Sequence, residues 1–378
     1  MYNSFENKEI NHLREPMFLG QGQNIARYDQ QKHPFFEKII DKQLSHFWRP
    51  EEVPIERDYR DWQKLNDSEK HIFISNLKRQ TLLDSIQGRS PNMAFLPIVG
   101  IPELETWIEN WASNETVHSR SYTYIIKNLF AEPDKIFDSI MGTKEIVDSA
   151  SAMTEHYDDL IHYNNLYTLL GYGNHEVNGE TITLTREEHI EKIYLALASV
   201  NILEGIRFYV SFACAWAFNE RDLLEGNSKI ITLICRDENV HLSGTQYMLN
   251  NFAKEFGELG RKTVEKLKHV VEKMFDYAVA DEKKWAKYLF KDESMIGLNE
   301  RLLCSFVEYI ANTRLEAIGF ERRYETEENP LDWVNKYIGN KGTNNIQVAP
   351  QEAEISSYLI GQVDNNANEE SFKTFDLD

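Results

Sequence analysis

The sequence predicts an all-α fold in which long helices form a bundle with extra helices around it. Apolar residues recur at helical spacing over most of the chain. Two helical stretches each carry a Glu-x-x-His step, and a lone acid precedes each step by about thirty residues. This repetition indicates one helical hairpin used twice, so that four helices direct polar side chains to one place. The residues concerned are Asp84, Glu115, His118, Glu204, Glu238 and His241.

The boundaries of the helices follow from caps and breakers. The first helix ends before Pro50, because proline cannot continue a helix. Asp67 or Ser68 caps the second, and Pro102 begins the third in a position where proline is favoured. Apolar periodicity places the others. The predicted helices cover residues 35–47, 67–85, 102–130, 144–170, 187–220, 226–254, 259–288 and 297–320.

A short segment near residues 174–185 interrupts the helical pattern. It contains the pair Asn178 and Gly179, followed by the β-forming residues Thr181 and Ile182. Asn-Gly between β-forming residues is a strong signal for a two-residue hairpin turn. One small β-hairpin is therefore predicted within the helical chain.

Composition divides the chain into three parts. We expect an extended N-terminal segment over 1–33, a helical domain over 34–341 and a flexible tail over 342–378. The tail has seven acidic residues and one lysine, so it cannot bury enough apolar surface to fold alone. Its aromatic residues, among them Tyr358, predict a docking segment that becomes ordered on a partner. A tail that is merely solvated is the alternative.

Charge and composition restrict the possible partners and the location. The 378 residues carry a formal net charge of −20, which disfavours nucleic acids and anionic membranes as partners. Three scattered cysteines are typical of a reduced, cytoplasmic protein. The longest apolar stretch, 194–218, contains Asn201, Glu204 and Arg207. Because charged residues are costly inside a bilayer, this stretch is predicted to be a buried bundle helix of a soluble protein.

The six acidic and imidazole side chains of the repeated hairpin require a partner for their charge. Four carboxylates and two neutral imidazoles carry −4, which two divalent cations balance. Oxygen and imidazole ligands suit iron or manganese. For Glu204, a buried ion pair with Arg207 or Arg236 is the alternative. A third Glu-x-x-His step, Glu9 to His12, is interpreted as accidental.

A tyrosine follows the first Glu-x-x-His step. Tyr122 lies four residues after His118, one turn further along the same face. Phe208 and Phe212 follow Glu204 at helical spacing and offer an apolar wall. A phenol beside an oxidising metal pair can persist as a radical when the groups around it have no easily removed hydrogen atom. An ordinary core tyrosine is an equally good interpretation of the spacing alone.

Six long segments of the chain carry a resemblance to a known family. They read REPMFLGQGQNIARYDQQKHPFFEKIIDKQLSHFWRPEE, HIFISNLKRQTLLDSIQGRSPN, IPELETWIENWASNETVHSRSYTYII, FYVSFACAWAF, ICRDENVHLSGTQ and QVAPQEAEISSYLIGQVD. In these segments the chain resembles the small, radical-generating subunit of class Ia ribonucleotide reductase of the bacterial and phage type. The resemblance covers essentially the whole chain.

The resemblance implies a ferritin-like helical fold and an oxo-bridged di-iron centre activated by O2 and an electron donor, with manganese as a possible substitute. The implied metal ligands are Asp84, Glu115, His118, Glu204, Glu238 and His241. Tyr122 would carry a stable radical. The other residues implied are Trp48, Asp237 and Tyr358 for radical transfer, Phe208, Phe212 and Ile234 around the radical, and Trp111 beside the ligands.

The resemblance also implies the reaction and the partners. The chain would form a homodimer and dock a separate large subunit through its tail. There the radical would be passed to a cysteine, and ribonucleoside diphosphates would be reduced to deoxyribonucleotides. This ribonucleoside-diphosphate reductase would be active only with the large subunit, in the cytoplasm, or in the host cytoplasm if phage-encoded. A di-iron oxygenase or oxidase of the same fold and an iron-storage protein are the alternatives.

Overall fold

The computed structural model describes residues 7–22, 24–292 and 294–338. Over these residues the protein is a bundle of long α-helices with one antiparallel hairpin, which confirms the predicted fold class. The helices are α1 (Pro34–Ser45), α2 (Glu56–Trp62), α3 (Asp67–Gln87), α4 (Ser90–Phe95), α5 (Pro102–Leu129), α6 (Pro133–Asp138), α7 (Lys144–Leu170), α8 (Arg186–Ile202), α9 (Tyr209–Asn219), α10 (Glu225–Glu255), α11 (Gly257–Leu289), α12 (Glu300–Ala317) and α13 (Asn335–Ile338). The strands are β1 (Gly173–Val177) and β2 (Glu180–Leu184).

The hairpin forms where the Asn-Gly pair predicts it. Gly173 pairs with Leu184 and Val177 with Glu180, which leaves a two-residue turn. Both turn residues have positive φ, 55° at Asn178 and 83° at Gly179. This is the left-handed region that a tight hairpin turn requires and that asparagine and glycine tolerate.

The cap of one helix and the start of another differ from the prediction. The cap of α3 is Asn66, whose side-chain oxygen accepts a hydrogen bond from the backbone N–H of Glu69 at 2.8 Å. Asn299 caps α12 in the same way, so this helix begins at Glu300 and not at residue 297. The short helices α2, α4 and α6 are absent from the prediction because they are too short to show an apolar period.

The prediction of a single helix over residues 187–220 is wrong in one respect. A π-helical turn, Leu203–Arg207, separates α8 from α9. Such a turn inserts an additional residue into a helix and often occurs at a functional site. The residues before and after the inserted residue are apolar on every side of the helix, so the hydrophobic pattern does not reveal the insertion. This turn carries Glu204, one of the six predicted metal ligands.

The apolar core is shared by the helices that carry the predicted ligands. Helix α3 packs on α5, and α8 packs on α7, α10 and α11. The large side chains of Trp107 and Trp111 are fully buried within it. The N-terminal segment also contributes, since Met17 and Phe18 are fully buried and Phe18 forms a backbone bridge with Val99.

One stretch of the described chain, Arg186–Asn219, is long and apolar enough to cross a membrane. In this fold 94% of its most apolar window is buried inside the protein. The stretch comprises α8, the π turn and α9, which pack against other helices of the bundle. It is therefore a core helix, as the sequence predicts.

Substitution of Gly244 by alanine is expected to lower the free energy of unfolding of the metal-free protein by about 1–3 kcal/mol, the usual cost of overpacking. A Cβ atom at Gly244 would lie 2.2 Å from Cζ2 of Trp107, and that indole is stacked on Trp111 at 4.9 Å between ring centroids. Urea denaturation measures the change. Gly142→Ala is the control, because its Cβ would meet only the Ser139 carbonyl at 3.6 Å; equal stability of both variants would contradict the expectation.

Candidate metal centre

The structure brings the six predicted ligands together inside the bundle, where all are completely buried. Helix α3 supplies one acid, α5 and α10 each supply a Glu-x-x-His step, and the π turn supplies the other acid. They form two overlapping groups whose possible ligand atoms lie within 4.8 Å of one another. Glu115 and Glu238 belong to both groups, Asp84 and His118 complete one, and Glu204 and His241 complete the other.

The Glu-x-x-His spacing places each imidazole beside the carboxylate of its own helix and of the facing helix. Nδ1 of His118 lies 3.3 Å from Oε2 of Glu115 and 3.3 Å from Oε1 of Glu238. Nδ1 of His241 lies 3.1 Å from Oε1 of Glu115 and 3.3 Å from Oε2 of Glu238. Glu115 and Glu238 therefore lie between the two imidazoles, as two carboxylates shared by two metal positions would.

Neighbouring side chains orient the carboxylates. Trp111 Nε1 donates a hydrogen bond to Oε1 of Glu115 at 3.1 Å. Gln87 Nε2 donates to Oε1 of Glu204 at 3.1 Å, and the Tyr157 hydroxyl donates to Oε1 of Gln87 at 3.0 Å. Gln87 and Tyr157 are not among the residues predicted from the sequence. Gln87 follows the ligand of α3 by three residues, and this same-face spacing is the signal that could have found it.

A hydrogen-bonded connection leads from the cluster to a buried tryptophan. Nε2 of His118 lies 3.3 Å from Oδ2 of Asp237. The same oxygen accepts a hydrogen bond from Nε1 of Trp48 at 2.8 Å. Arg236 lies beside this carboxylate, with its Nε 3.6 Å from Oδ1 of Asp237, and donates to the backbone carbonyl of His46. Trp48, Asp237 and His118 thus form one continuous polar contact in the apolar core.

The buried charges strongly perturb the acids and the imidazoles. Burial, and then the charges of Glu115 and Glu238, raise the pKa of Asp84 and of Glu204 well above the usual carboxyl value. Burial alone would raise the pKa of Glu115, but the adjacent imidazoles lower it to about 2. Burial would lower the pKa of His241, but the carboxylates of Glu115 and Glu238 raise it to about 9. Ionisation of all four carboxylates is therefore unfavourable at the cluster unless cations are present.

The residues present fit a pair of metal ions. Several buried oxygens of the cluster have no hydrogen-bond partner in the described structure, including Oδ1 and Oδ2 of Asp84 and Oε2 of Glu204. An unsatisfied buried polar atom is costly, and cations would bind these oxygens and balance the charge of the ionised carboxylates. The oxygen and imidazole donor set suits iron or manganese and not a thiolate-bound metal.

The predicted radical residue and its apolar neighbours lie in the same core. Tyr122 is fully buried, and burial followed by the nearby charge of Asp84 raises the pKa of its phenol well above the ordinary value. Phe208 and Phe212 are fully buried and stacked, with ring centroids 5.6 Å apart. Ile234 is also fully buried. The predicted relay residue of the tail, at position 358, lies outside the described residues.

Two alternative interpretations of the sequence can be compared with the contacts. The Arg207 side chain is directed to Asp281, with Nη1 2.5 Å from Oδ2, so Glu204 is not held by it. His12, of the third Glu-x-x-His step, contacts the backbone carbonyl of Gln30 at 2.7 Å. Among the described residues it belongs to neither of the two ligand groups.

The chain is similar to known proteins over its whole length. The family model described as ribonucleotide reductase, small chain, matches residues 26–330. The ribonucleoside-diphosphate reductase subunit beta of Buchnera aphidicola subsp. Acyrthosiphon pisum is 54% identical over 377 residues, which cover 100% of both chains. Ribonucleoside-diphosphate reductase 1 subunit beta of Escherichia coli O157:H7 is 52% identical over 381 residues, again covering 100% of both.

A solved structure supports the fold. The ribonucleotide reductase R2 subunit from Clostridium botulinum superposes with a TM-score of 0.74 at 24% identity, covering 86% of this chain and 94% of that one. The fold is thus the ferritin-like helical fold of these subunits. The protein is a ribonucleoside-diphosphate reductase subunit that works together with a large subunit. The chain belongs to the ribonucleotide reductase small-chain family.

Proposed function

We propose that this subunit binds two iron ions, uses O2 to form a stable radical on Tyr122 and passes the oxidising equivalent to the large subunit. The observation that carries the proposal is the pair of overlapping buried ligand groups that share Glu115 and Glu238. Two iron(II) ions held by these residues would, with O2, supply the oxidising power for loss of a hydrogen atom from the phenol of Tyr122. Because manganese suits the same donors, it is the possible substitute metal.

The residues around the site have separate tasks in this proposal. Asp84, Glu115, His118, Glu204, Glu238 and His241 hold the metals. Phe208, Phe212 and Ile234 enclose Tyr122 with groups that have no easily removed hydrogen atom, while Trp111 orients a ligand carboxylate. Asp237 links His118 to Trp48 through its carboxylate, so a proton and an electron can move between these side chains. Tyr358 would continue the route into the large subunit, where ribonucleoside diphosphates are reduced.

The remaining parts of the proposal concern assembly. We assign residues 1–33 to an N-terminal segment, 34–341 to the di-iron domain and 342–378 to a tail that docks the large subunit. The subunit is proposed to form a homodimer, to receive an electron from a separate donor during activation and to work in the cytoplasm, or in the host cytoplasm if phage-encoded. The strongly acidic sequence supports protein partners over nucleic acid or membrane.

Electron paramagnetic resonance tests the proposal directly. Metal-free protein is given iron(II) and then air, and the bound iron is counted in the same sample. An organic-radical signal together with two irons per chain is the expected result. Two irons without a radical would instead favour an oxygenase or an iron store, and no iron uptake, followed by no manganese uptake, would contradict the metal site.

Deletion of all residues after Gly342 is expected to abolish turnover with the large subunit while the radical yield stays unchanged. The physical reason is that the deleted tail contains the proposed docking segment and the proposed relay residue Tyr358 but none of the predicted metal ligands. Reductase assays and radical quantification on the same preparation measure the two effects. The full-length wild-type chain is the control. Loss of the radical in the truncated protein would show that the tail supports the metal domain itself.

A further inference from the structure

Two arginines from neighbouring helices hydrogen-bond to backbone carbonyls of the π turn. Nε of Arg314, in α12, donates to the carbonyl of Gly205 at 3.2 Å. Nη1 of Arg79, in α3, donates to the carbonyl of Arg207 at 3.3 Å. A π turn departs from the regular i→i+4 ladder, and buried carbonyls must then find other donors. The arginine side chains are such donors.

Arg314 fits closely against the turn. A Cβ atom on Gly205 would lie 3.2 Å from Cγ and 3.4 Å from Cδ of Arg314, so the glycine allows the arginine stem to approach. Nη2 of Arg314 also donates to the hydroxyl of Tyr209 at 2.7 Å, and its guanidinium carbon lies 5.2 Å from the centre of that ring. Within the described chain, one hydrogen bond of this guanidinium thus goes to the π turn, and the other goes to Tyr209, the second residue after the turn.

Arg79 is bound into a larger network. It pairs with Glu282, and its Nη2 donates to Ser149 at 3.1 Å. Arg207 binds the same serine at 3.1 Å and pairs with Asp281. Removal of Arg79 would leave a buried carboxylate without its cation and destabilise the protein as a whole. Arg314 is therefore the arginine whose effect on the turn can be isolated.

We propose that Arg314 is a positioning residue, which holds the π turn so that Glu204 reaches the metal cluster. This inference rests on the proposed metal site. Glu204 belongs to only one of the two ligand groups, whereas Asp84 and His118 complete the other. Loss of the guanidinium is consequently expected to affect one metal position and to leave the other intact.

Titration of the metal-free protein with manganese(II) tests this proposal. The free ion is measured at each step by its electron paramagnetic resonance signal. Arg314→Met keeps the aliphatic stem over Gly205 and removes the hydrogen-bond donors. We expect one of two manganese equivalents to bind about 10–100-fold more weakly, the usual effect of losing a residue that orients a metal ligand. Amide hydrogen exchange over residues 203–207 is expected to be faster in this variant. Arg322→Met is the matched control, because it removes an exposed ion pair with Glu316 at the end of the same helix.

The possible outcomes separate the two ideas. If the wild-type protein binds fewer than two equivalents, the proposed metal site itself is wrong. If it binds two and Arg314→Met binds both as tightly, or loses both equally, Arg314 does not position Glu204. Should Arg314→Met fail to fold, Tyr209→Phe removes one of the two hydrogen-bond partners of the guanidinium. That variant is expected to weaken the same equivalent to a smaller degree, and unchanged binding would overturn the proposal.

Discussion

Replacement of Tyr122 by phenylalanine is expected to eliminate both the organic radical and nucleotide reduction, while two metal ions still bind. The phenol is completely buried, and burial followed by the charge of Asp84 raises its pKa well above the ordinary value. The side chain is therefore a neutral phenol at neutral pH, and its oxidation must remove a proton together with the electron. Phenylalanine has no O–H hydrogen to lose.

The measurements are the radical signal after iron(II) and air, the count of bound iron, and turnover with the large subunit. The substitution removes a single oxygen atom from a fully packed position, so the fold and the ligand groups should be retained. Tyr194→Phe provides a matched control, since Tyr194 is also buried and packs against Phe252 with ring centroids 4.9 Å apart. A radical that persists in Tyr122→Phe, or disappears in the control, would rule out the proposed role.

The clustering of these acidic and imidazole side chains could be predicted from the sequence because helical geometry is local. Glu115 and His118 lie three residues apart, so any regular helix directs both to one side. The same holds for Glu238 and His241, and the structure brings both pairs into one cluster. The hairpin was equally predictable, since Asn-Gly adopts the positive φ angles that its turn requires.

The contacts that support the ligands depend on distant parts of the chain. The π turn is absent from the apolar pattern, because the residues around it are buried on every side. Arg314 lies 109 residues beyond the carbonyl of Gly205 that it binds. Tyr157 reaches Gln87 across 70 residues. No spacing rule joins such positions, so only the packing of α3, α7 and α12 around the turn reveals them.

Substitution of Asp237 by asparagine is expected to lower nucleotide reduction by about two orders of magnitude or more, within the range lost with a positioned proton-transfer group. The radical yield should stay close to that of the wild type. One oxygen, Oδ2, contacts both Nε1 of Trp48 at 2.8 Å and Nε2 of His118 at 3.3 Å. An amide keeps the size of the side chain but loses the charge, and half of its polar end becomes a donor.

Trp48→Phe removes the same hydrogen bond from the other side and is expected to lower turnover to a similar extent. Because both residues would act in one route, the double variant should be little worse than either single variant, whereas independent effects would multiply. Turnover with the large subunit and radical content are measured on the same samples. Trp216→Phe is the control: it removes an equally buried indole donor, bound to Thr232 at 3.0 Å, and should leave turnover unchanged. Multiplicative losses in the double variant would mean that Trp48 and Asp237 act separately. If both residues belong to one transfer route, a route already interrupted by one substitution should lose little more from the second.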